Sequence, residues 1–204
     1  NHKTFLGWFT GLTDGVEVTS ITLPTASITL YAHWEYLPEA TFQDGSTVNV
    51  KLKTLAGNES PSYDTDNSNI EHIVRADSLP NNFTATANNT LSTSDSDEPI
   101  YAWYNNGTIY YYSDATAIYL NSDSNHFFRS MLVLSDVDDI ENWNTSNATQ
   151  TSYMFYKLGM NASSVEFDLS NWDTSNVETM AFMFEAFGKG ATTFELDVST
   201  WNES

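Results

Sequence analysis

Tryptophan recurs at a fixed interval in the last third of this chain. Trp143, Trp172 and Trp201 are separated by 29 residues each time, and their neighbours recur with them. Asn-Trp-Asn-Thr-Ser-Asn at 142–147 is followed by Asn-Trp-Asp-Thr-Ser-Asn at 171–176. Self-similarity with a period of roughly 20–50 residues is typical of a solenoid, in which each repeat buries its apolar face against its neighbours. The period therefore predicts stacked repeats that display a surface.

Two further patterns predict the secondary structure within one repeat. Phe167 and Leu169 alternate with polar residues, as the two faces of a short strand require. Val177, Met180 and Phe184 follow at helix-like spacing and should face the core from a helical turn. The residues expected in the buried repeat core are Trp143, Phe155, Leu169, Trp172, Val177, Met180, Phe184 and Trp201.

The stretch 167–184 carries a family resemblance. Its sequence, Phe-Asp-Leu-Ser-Asn-Trp-Asp-Thr-Ser-Asn-Val-Glu-Thr-Met-Ala-Phe-Met-Phe, resembles the BspA-like leucine-rich repeat of bacterial surface proteins, whose mycoplasma-type variant is a domain of unknown function. The resemblance implies a leucine-rich-repeat solenoid over residues 123–204, with a short strand and a helical turn in each coil. We expect its third copy, which begins at Val198, to be truncated at the C-terminus.

Residues 1–36 resemble a second family. Phe-Leu-Gly-Trp-Phe-Thr at 5–10 and Thr-Leu-Tyr-Ala-His-Trp at 29–34 look like the closing half of the Listeria–Bacteroides repeat, also called the internalin B-type B repeat. The resemblance implies the C-terminal part of a small β-grasp module that lacks its opening strand here.

The region 37–122 contains an aromatic hairpin that we predict to cap the repeats. Asn106-Gly107 lies between two aromatic runs, and Asn-Gly is the strongest short-range hairpin signal because both residues tolerate positive φ. Exposed Tyr and Trp residues are common anchors for protein partners and stacking platforms for sugars. The candidate ligand-binding residues are Trp103, Tyr104, Tyr110, Tyr111 and Tyr112. The alternative is that these aromatic side chains are buried under the cap.

Charge and composition exclude several classes of partner. The formal net charge is −20, with only seven Lys and Arg residues, so a basic surface for nucleic acid or for anionic lipids is not available. No apolar run approaches the roughly 18–20 residues that span a bilayer, so we expect no membrane insertion by this segment. The absence of cysteine excludes disulfides, thiol nucleophiles and Cys-ligated zinc. Together these features favour an extracellular segment of a Gram-positive cell-surface protein.

Few patterns point to chemistry, and we assign no catalytic residue, cofactor or metal ligand. No Gly-x-Ser-x-Gly elbow is present, and the histidines are far apart in the sequence, so we expect no enzyme and no zinc site. Ser94–Glu98 and Asp136–Asp139 are rich in carboxylates. For both segments a surface calcium site and a solvated acidic loop remain alternatives.

The sequence thus predicts a mixed α/β, β-rich chain in three parts. A β-grasp-type module spans 1–36, a mixed capping region 37–122 and a repeat solenoid 123–204. The family resemblance implies adhesion to, or recognition of, a host or neighbouring-cell protein or glycoprotein. A carbohydrate-binding module that uses the hairpin aromatics and a passive stalk are the two alternative functions.

Overall fold

The computed structural model describes residues 3–21 and 27–201. The chain divides into two compact units, Asn1–Pro38 and Glu39–Ser204. The predicted capping region and the predicted repeats therefore share one unit and one hydrophobic core. Among the described residues, no helix has the length and apolar character needed to cross a membrane.

The first unit contains a two-stranded antiparallel sheet. Strand β1 (Lys3–Phe9) pairs with β2 (Tyr31–Tyr36), and a bulge shifts the register between Phe5 and Gly7. Phe5 packs against Trp8 and Trp34, with ring centroids 5.8 and 5.1 Å apart, and all three side chains are exposed. The β-grasp module implied by the resemblance stays a prediction.

The capping part of the second unit combines one helix with two sheets. Helix α1 (Gly45–Leu55) begins at Asp44, whose carboxylate accepts the Thr47 N–H at 3.0 Å, as a helix N-cap does. The strands of this part are β3 (Glu39–Thr41), β4 (His72–Arg75), β5 (Tyr101–Asn105), β6 (Thr108–Tyr112) and β7 (Ala117–Tyr119). β3 and β7 pair in parallel, and β5 and β6 form the predicted hairpin, which is confirmed by their register across Asn106-Gly107.

The repeats contribute three short parallel strands, of which one joins a sheet of the capping part and two form a sheet of their own. Strand β8 (Asp136–Val137) pairs with β4 and completes a four-stranded sheet of order β5-β6-β4-β8. A short 3-10 helix, Ile140–Asn142, follows. Strand β9 (Ser164–Asp168) pairs in parallel with β10 (Thr193–Asp197), so that each residue faces the one 29 positions later. The 29-residue period of the sequence therefore equals the residue offset between paired positions of β9 and β10.

No helix forms at the predicted helical turns, because residues 152–161 and 181–190 form runs of turns instead. The N–H groups of Tyr153, Phe155 and Lys157 donate to carbonyls of the following copy at 2.9–3.0 Å. The intervening N–H groups of Met154 and Tyr156 donate three residues back, at 3.2 Å. Every second N–H group from Tyr153 to Lys157 donates to the following copy. The continuous hydrogen bonds of an α-helix, from each N–H to the carbonyl four residues back, therefore cannot form.

The recurring tryptophans occupy equivalent positions between copies. Trp172 Nε1 donates to Ile140 O at 2.9 Å, and Trp201 Nε1 donates to Leu169 O at 3.0 Å, 32 residues back in each case. Trp143 is buried and donates to the Tyr111 hydroxyl at 3.1 Å. Each indole thus satisfies its N–H within the core, as a buried tryptophan requires.

The predicted repeat core is only partly buried. Trp143, Phe155, Leu169 and Trp172 are buried, whereas Val177, Phe184 and Trp201 are half-buried. Met180 is 42% exposed, so it is not buried, although it lines a small apolar cavity with Trp172 and Met183. The helical spacing that placed it inward is not formed, because the Glu178 and Thr179 N–H groups donate to Thr149 O in the preceding copy.

Gly159 provides a test of the close packing between copies. Its φ is +60°, and an added Cβ would lie 2.5 Å from Val165 Cγ2 and 2.9 Å from Leu134 O. We expect Gly159→Ala to lower the free energy of unfolding by about 2–5 kcal/mol, from left-handed strain plus overpacking. Gly57→Ala is the matched control, because φ is +89° there but no atom lies within 4 Å of the new Cβ. Equal losses in urea denaturation of the two variants would contradict the close packing.

Candidate functional site

The hairpin aromatics divide into buried and accessible side chains. Tyr111 is 2% exposed, and its hydroxyl donates to Asp138 O at 3.0 Å while accepting the Trp143 N–H. Burial raises the pKa of Tyr111. Tyr111 was a candidate ligand-binding residue, and this role is wrong because the side chain lies inside the core. Tyr104 accepts the Gly107 N–H at 2.9 Å and donates to Asn69 O at 3.1 Å, so it stabilises the hairpin turn.

The remaining three candidates are half-buried at the surface of the hairpin. Trp103 and Tyr110 stack with centroids 5.6 Å apart and planes 13° apart. Phe83 approaches Trp103 edge-on at 5.9 Å. The Tyr112 hydroxyl donates to Asp114 at 2.5 Å, and this hydrogen bond raises the pKa of Tyr112. Contacts with neighbouring side chains therefore hold the aromatic rings of the hairpin in fixed orientations.

A depression borders this hairpin, and we call it the hairpin depression. Its volume is about 510 Å³, and its lining includes Asn81, Asn82, Phe83, Trp103 and Tyr104. A tight turn, in which the Phe83 N–H donates to Pro80 O at 2.9 Å, carries the two asparagines at its tip. The depression thus brings amide side chains next to aromatic rings.

A second aromatic feature, the aromatic ladder, consists of Tyr63, His126, Tyr153 and Phe182. Neighbouring rings stack with centroids 4.3, 5.3 and 5.0 Å apart and planes within 22° of parallel. His126, Tyr153 and Phe182 all have φ between +55° and +65°, so the same backbone conformation presents all three. Phe182, at one end, is 57% exposed. Sequence reasoning missed this feature, although Tyr153 and Phe182 recur at the 29-residue period.

Arg129 ties the ladder to the capping region. Its guanidinium lies 4.6 Å from the ring centres of both Tyr153 and Tyr156, and it pairs with Asp64 at 2.5 Å. Burial, followed by the charge of Arg129, lowers the pKa of His126. Cation–π contacts of this kind stabilise a desolvated cation, so the ladder is held by charge as well as by stacking.

The Lys53 ammonium fixes the loop that carries Tyr63, donating to Tyr63 O at 3.0 Å. Burial lowers the Lys53 pKa to about 8, and the Asp66 charge opposes this. Between pH 8 and 10 the unfolded chain therefore binds more protons than the folded chain, and stability should rise with pH. We expect this rise, at most about 1.4 kcal/mol per pH unit, to be absent in Lys53→Met. Parallel curves of unfolding free energy against pH for the two proteins would contradict the expectation.

The strands of the repeats carry an array of carboxylates on their outer side. In the parallel register Glu166 lies opposite Glu195, and Asp168 lies opposite Asp197, with all four side chains exposed. Like charges placed directly opposite each other destabilise a sheet. Within residues 3–21 and 27–201, no group of three or more His, Asp or Glu side chains has the arrangement of a metal site. The calcium alternative for Asp136–Asp139 therefore has no geometric support in this part of the chain.

Ser94–Glu98, the other acidic segment, is bonded to strand β3. Ser96 Oγ accepts the Thr41 N–H at 2.9 Å, and an Asp97 carboxylate oxygen accepts the Glu39 N–H at 3.0 Å. These side chains satisfy backbone donors at the edge of the sheet. The hydrogen bonds to the Thr41 and Glu39 N–H groups explain why residues 96 and 97 are polar.

His72, Ser135 and Asp136 come together at the β4–β8 pair. The Asp136 carboxylate lies 2.8 Å from His72 Nδ1, and Ser135 Oγ lies 3.1 Å from the same nitrogen. A catalytic triad uses one ring nitrogen for the serine and the other for the carboxylate. These three side chains therefore do not form a triad, and they bind two neighbouring strands together.

Comparison with known proteins identifies one region of the chain. Residues 122–204 match a family model described as "Mycoplasma protein of unknown function, DUF285". Searches of curated proteins and of solved structures gave no match. The match confirms the mycoplasma-type part of the resemblance for the repeats, which carry the Trp172 core and the Phe182 end of the ladder. The leucine-rich-repeat and internalin B-type assignments stay predictions.

Proposed function

We propose that this chain is a non-enzymatic recognition segment of a bacterial cell-surface protein. It belongs to an extracellular solenoid of leucine-rich-repeat type, and it binds a host or neighbouring-cell protein. The family match over residues 122–204 is consistent with a surface repeat protein and leaves its activity open. The function therefore rests on the surface that the repeats present.

The aromatic ladder is the observation that carries this proposal. Its last described ring, Phe182, is 57% exposed, and Met180, two residues earlier in the sequence, is 42% exposed, on a chain whose net charge is −20. Exposed aromatic and methionine side chains are enriched where proteins bind one another, and large aromatic anchors supply much of the binding energy. The rings behind Phe182 are stacked in place, so a partner orders few side chains when it binds.

The ladder also explains why stacked repeats suit recognition. Tyr153 and Phe182 come from consecutive copies, and backbone hydrogen bonds such as Tyr153 N–H to Ala181 O, at 2.9 Å, fix their separation. A partner therefore meets stacked rings whose centroids lie 4.3–5.3 Å apart. The carboxylates of β9 and β10 add a negative surface that favours partners with basic residues.

The test is affinity capture from serum and from mucus with the whole chain as bait. We compare the wild type, Phe182→Asn and Phe194→Asn at about 0.15 M and about 1 M salt. Asparagine tolerates the positive φ of +55° at Phe182. Phe194 is a similarly exposed phenylalanine outside the ladder and serves as the matched control.

A protein that the wild type and Phe194→Asn retain at both salt concentrations, and that Phe182→Asn loses, supports the proposal. Retention that Phe182→Asn leaves unchanged contradicts a role for the ladder. Loss of all retention at high salt would mean that the carboxylates act alone. Nothing retained from either source would favour the passive stalk.

A further inference from the structure

We propose that the hairpin depression binds a neutral saccharide. This site is separate from the aromatic ladder, and it does not depend on the function proposed above. Its chemistry differs from that of the other surfaces of the chain in charge, in aromatic content and in its hydrogen-bonding groups.

The hairpin depression is uncharged, unlike the rest of the surface around it. No residue that lines the hairpin depression carries a charge, on a chain with a net charge of −20. By contrast, the depressions beside β8 and around Arg75 are lined by several carboxylates, among them Asp138, Asp139 and Glu141. A ligand selected by the hairpin depression is therefore uncharged, and an anionic ligand is repelled by the surrounding surface.

Trp103 and Phe83 form the apolar side of the depression. Trp103 is held in one orientation by its parallel stack on Tyr110 and by the Phe83 edge. The C–H faces of a sugar ring are apolar and pack on aromatic rings, as other apolar groups do. Because the indole is already fixed, binding costs little side-chain entropy.

Two asparagine side chains form the polar side of the depression. Asn81 and Asn82 are exposed at the tip of the turn and line the depression. An amide side chain both donates and accepts, and this matches neighbouring sugar hydroxyls. The Ala102 N–H donates away from β6, to Asn89 O at 2.8 Å. Because every second residue of an antiparallel edge strand directs its N–H to the same side, the Tyr104 N–H also lies on the open edge of β5. The depression thus offers amide donors and acceptors around an aromatic ring.

The experiment is calorimetric titration of the whole chain with named oligosaccharides. The neutral probes are cellotriose, maltotriose, mannotriose and N-acetyllactosamine, and the charged probe is sialylated N-acetyllactosamine. We expect at least one neutral probe to bind with a Kd of about 1 mM or tighter, a modest affinity for an open site. The sialylated probe should bind at least about tenfold more weakly than its neutral parent if that parent binds.

Asn82→Ala should weaken binding by about fivefold or more through loss of hydrogen bonds. Asn147→Ala, another exposed asparagine outside the depression, should leave it unchanged. Trp103→Ala should abolish binding, and because it risks the hairpin fold, Asn82→Ala is the deciding variant. The proposal is overturned if no neutral probe binds at about 10 mM, if Asn82→Ala binds normally, or if the sialylated probe binds as well as its parent. Phe182→Asn should bind sugar normally, and this separates the site from the ladder.

Discussion

Asn49→Asp should lower the free energy of unfolding by about 3–5 kcal/mol, the cost of an uncompensated buried charge. Asn49 is fully buried on α1, and its Nδ2 donates to the carbonyls of His126, Phe127 and Arg129 at 2.9–3.1 Å. Aspartate keeps the shape but replaces the donor with a carboxylate facing those carbonyls. The loss should appear in urea denaturation followed by circular dichroism at pH 7.

The pH dependence of this variant identifies the cause of the loss. A carboxylate facing carbonyl oxygens has a raised pKa in the folded chain, so the folded chain binds more protons than the unfolded chain at mildly acidic pH. The gap between wild type and Asn49→Asp should therefore narrow as the pH falls toward 4. Asn147→Asp, at an exposed position, is the control and should change stability little. A loss below about 1 kcal/mol for Asn49→Asp would contradict its role as the link between α1 and the repeats.

Trp172→Ala should lower the free energy of unfolding by about 3–5 kcal/mol. The side chain is 4% exposed, stacks on Trp201 with centroids 6.3 Å apart, and contacts Phe155 at 5.9 Å. Its removal leaves a cavity between copies and takes away the hydrogen bond that its N–H donates to Ile140 O at 2.9 Å. Circular dichroism in urea is the suitable measurement, because the substitution removes a fluorophore.

Two companion variants separate the contributions at this position. Trp172→Phe keeps an aromatic ring but loses the hydrogen bond and part of the volume, so we expect a smaller loss than for alanine. Trp201→Ala removes an equivalent but half-buried side chain and should also cost less. A loss well under 1 kcal/mol for Trp172→Ala would mean that the 29-residue period does not describe the core.

The sequence predicts the features that depend on local or strictly periodic patterns. Asn106-Gly107 predicts the hairpin because the turn itself requires positive φ at both positions, and φ is +44° and +87° there. The 29-residue spacing predicts the positions of Trp143 and Trp172 because parallel copies place equivalent residues in register, as the Gln150–Thr179 bridge shows. Both features need only information that lies within a repeat or a turn.

The features that the sequence does not predict depend on contacts between distant segments. The spacing of Val177 and Met180 matches a helix, but the backbone bonds to the neighbouring copy and forms turns. Tyr63 joins the aromatic ladder from a loop outside the repeats, and His126 precedes Tyr153 by 27 residues instead of 29. Tyr111 looks like its half-buried hairpin neighbours in sequence, and its burial follows from the contact with Trp143.

The most direct test of the recognition proposal is hydroxyl-radical footprinting of the whole chain, free and bound to a protein captured from serum or mucus. We expect lower oxidation of Phe182 and Met180 in the complex, since both side chains are exposed in the free chain. Buried Phe155 should be unchanged and serves as the internal reference. Protection confined to the exposed aromatic side chains Trp8 and Trp34 of the first unit, with Phe182 and Met180 oxidised as before, would contradict it.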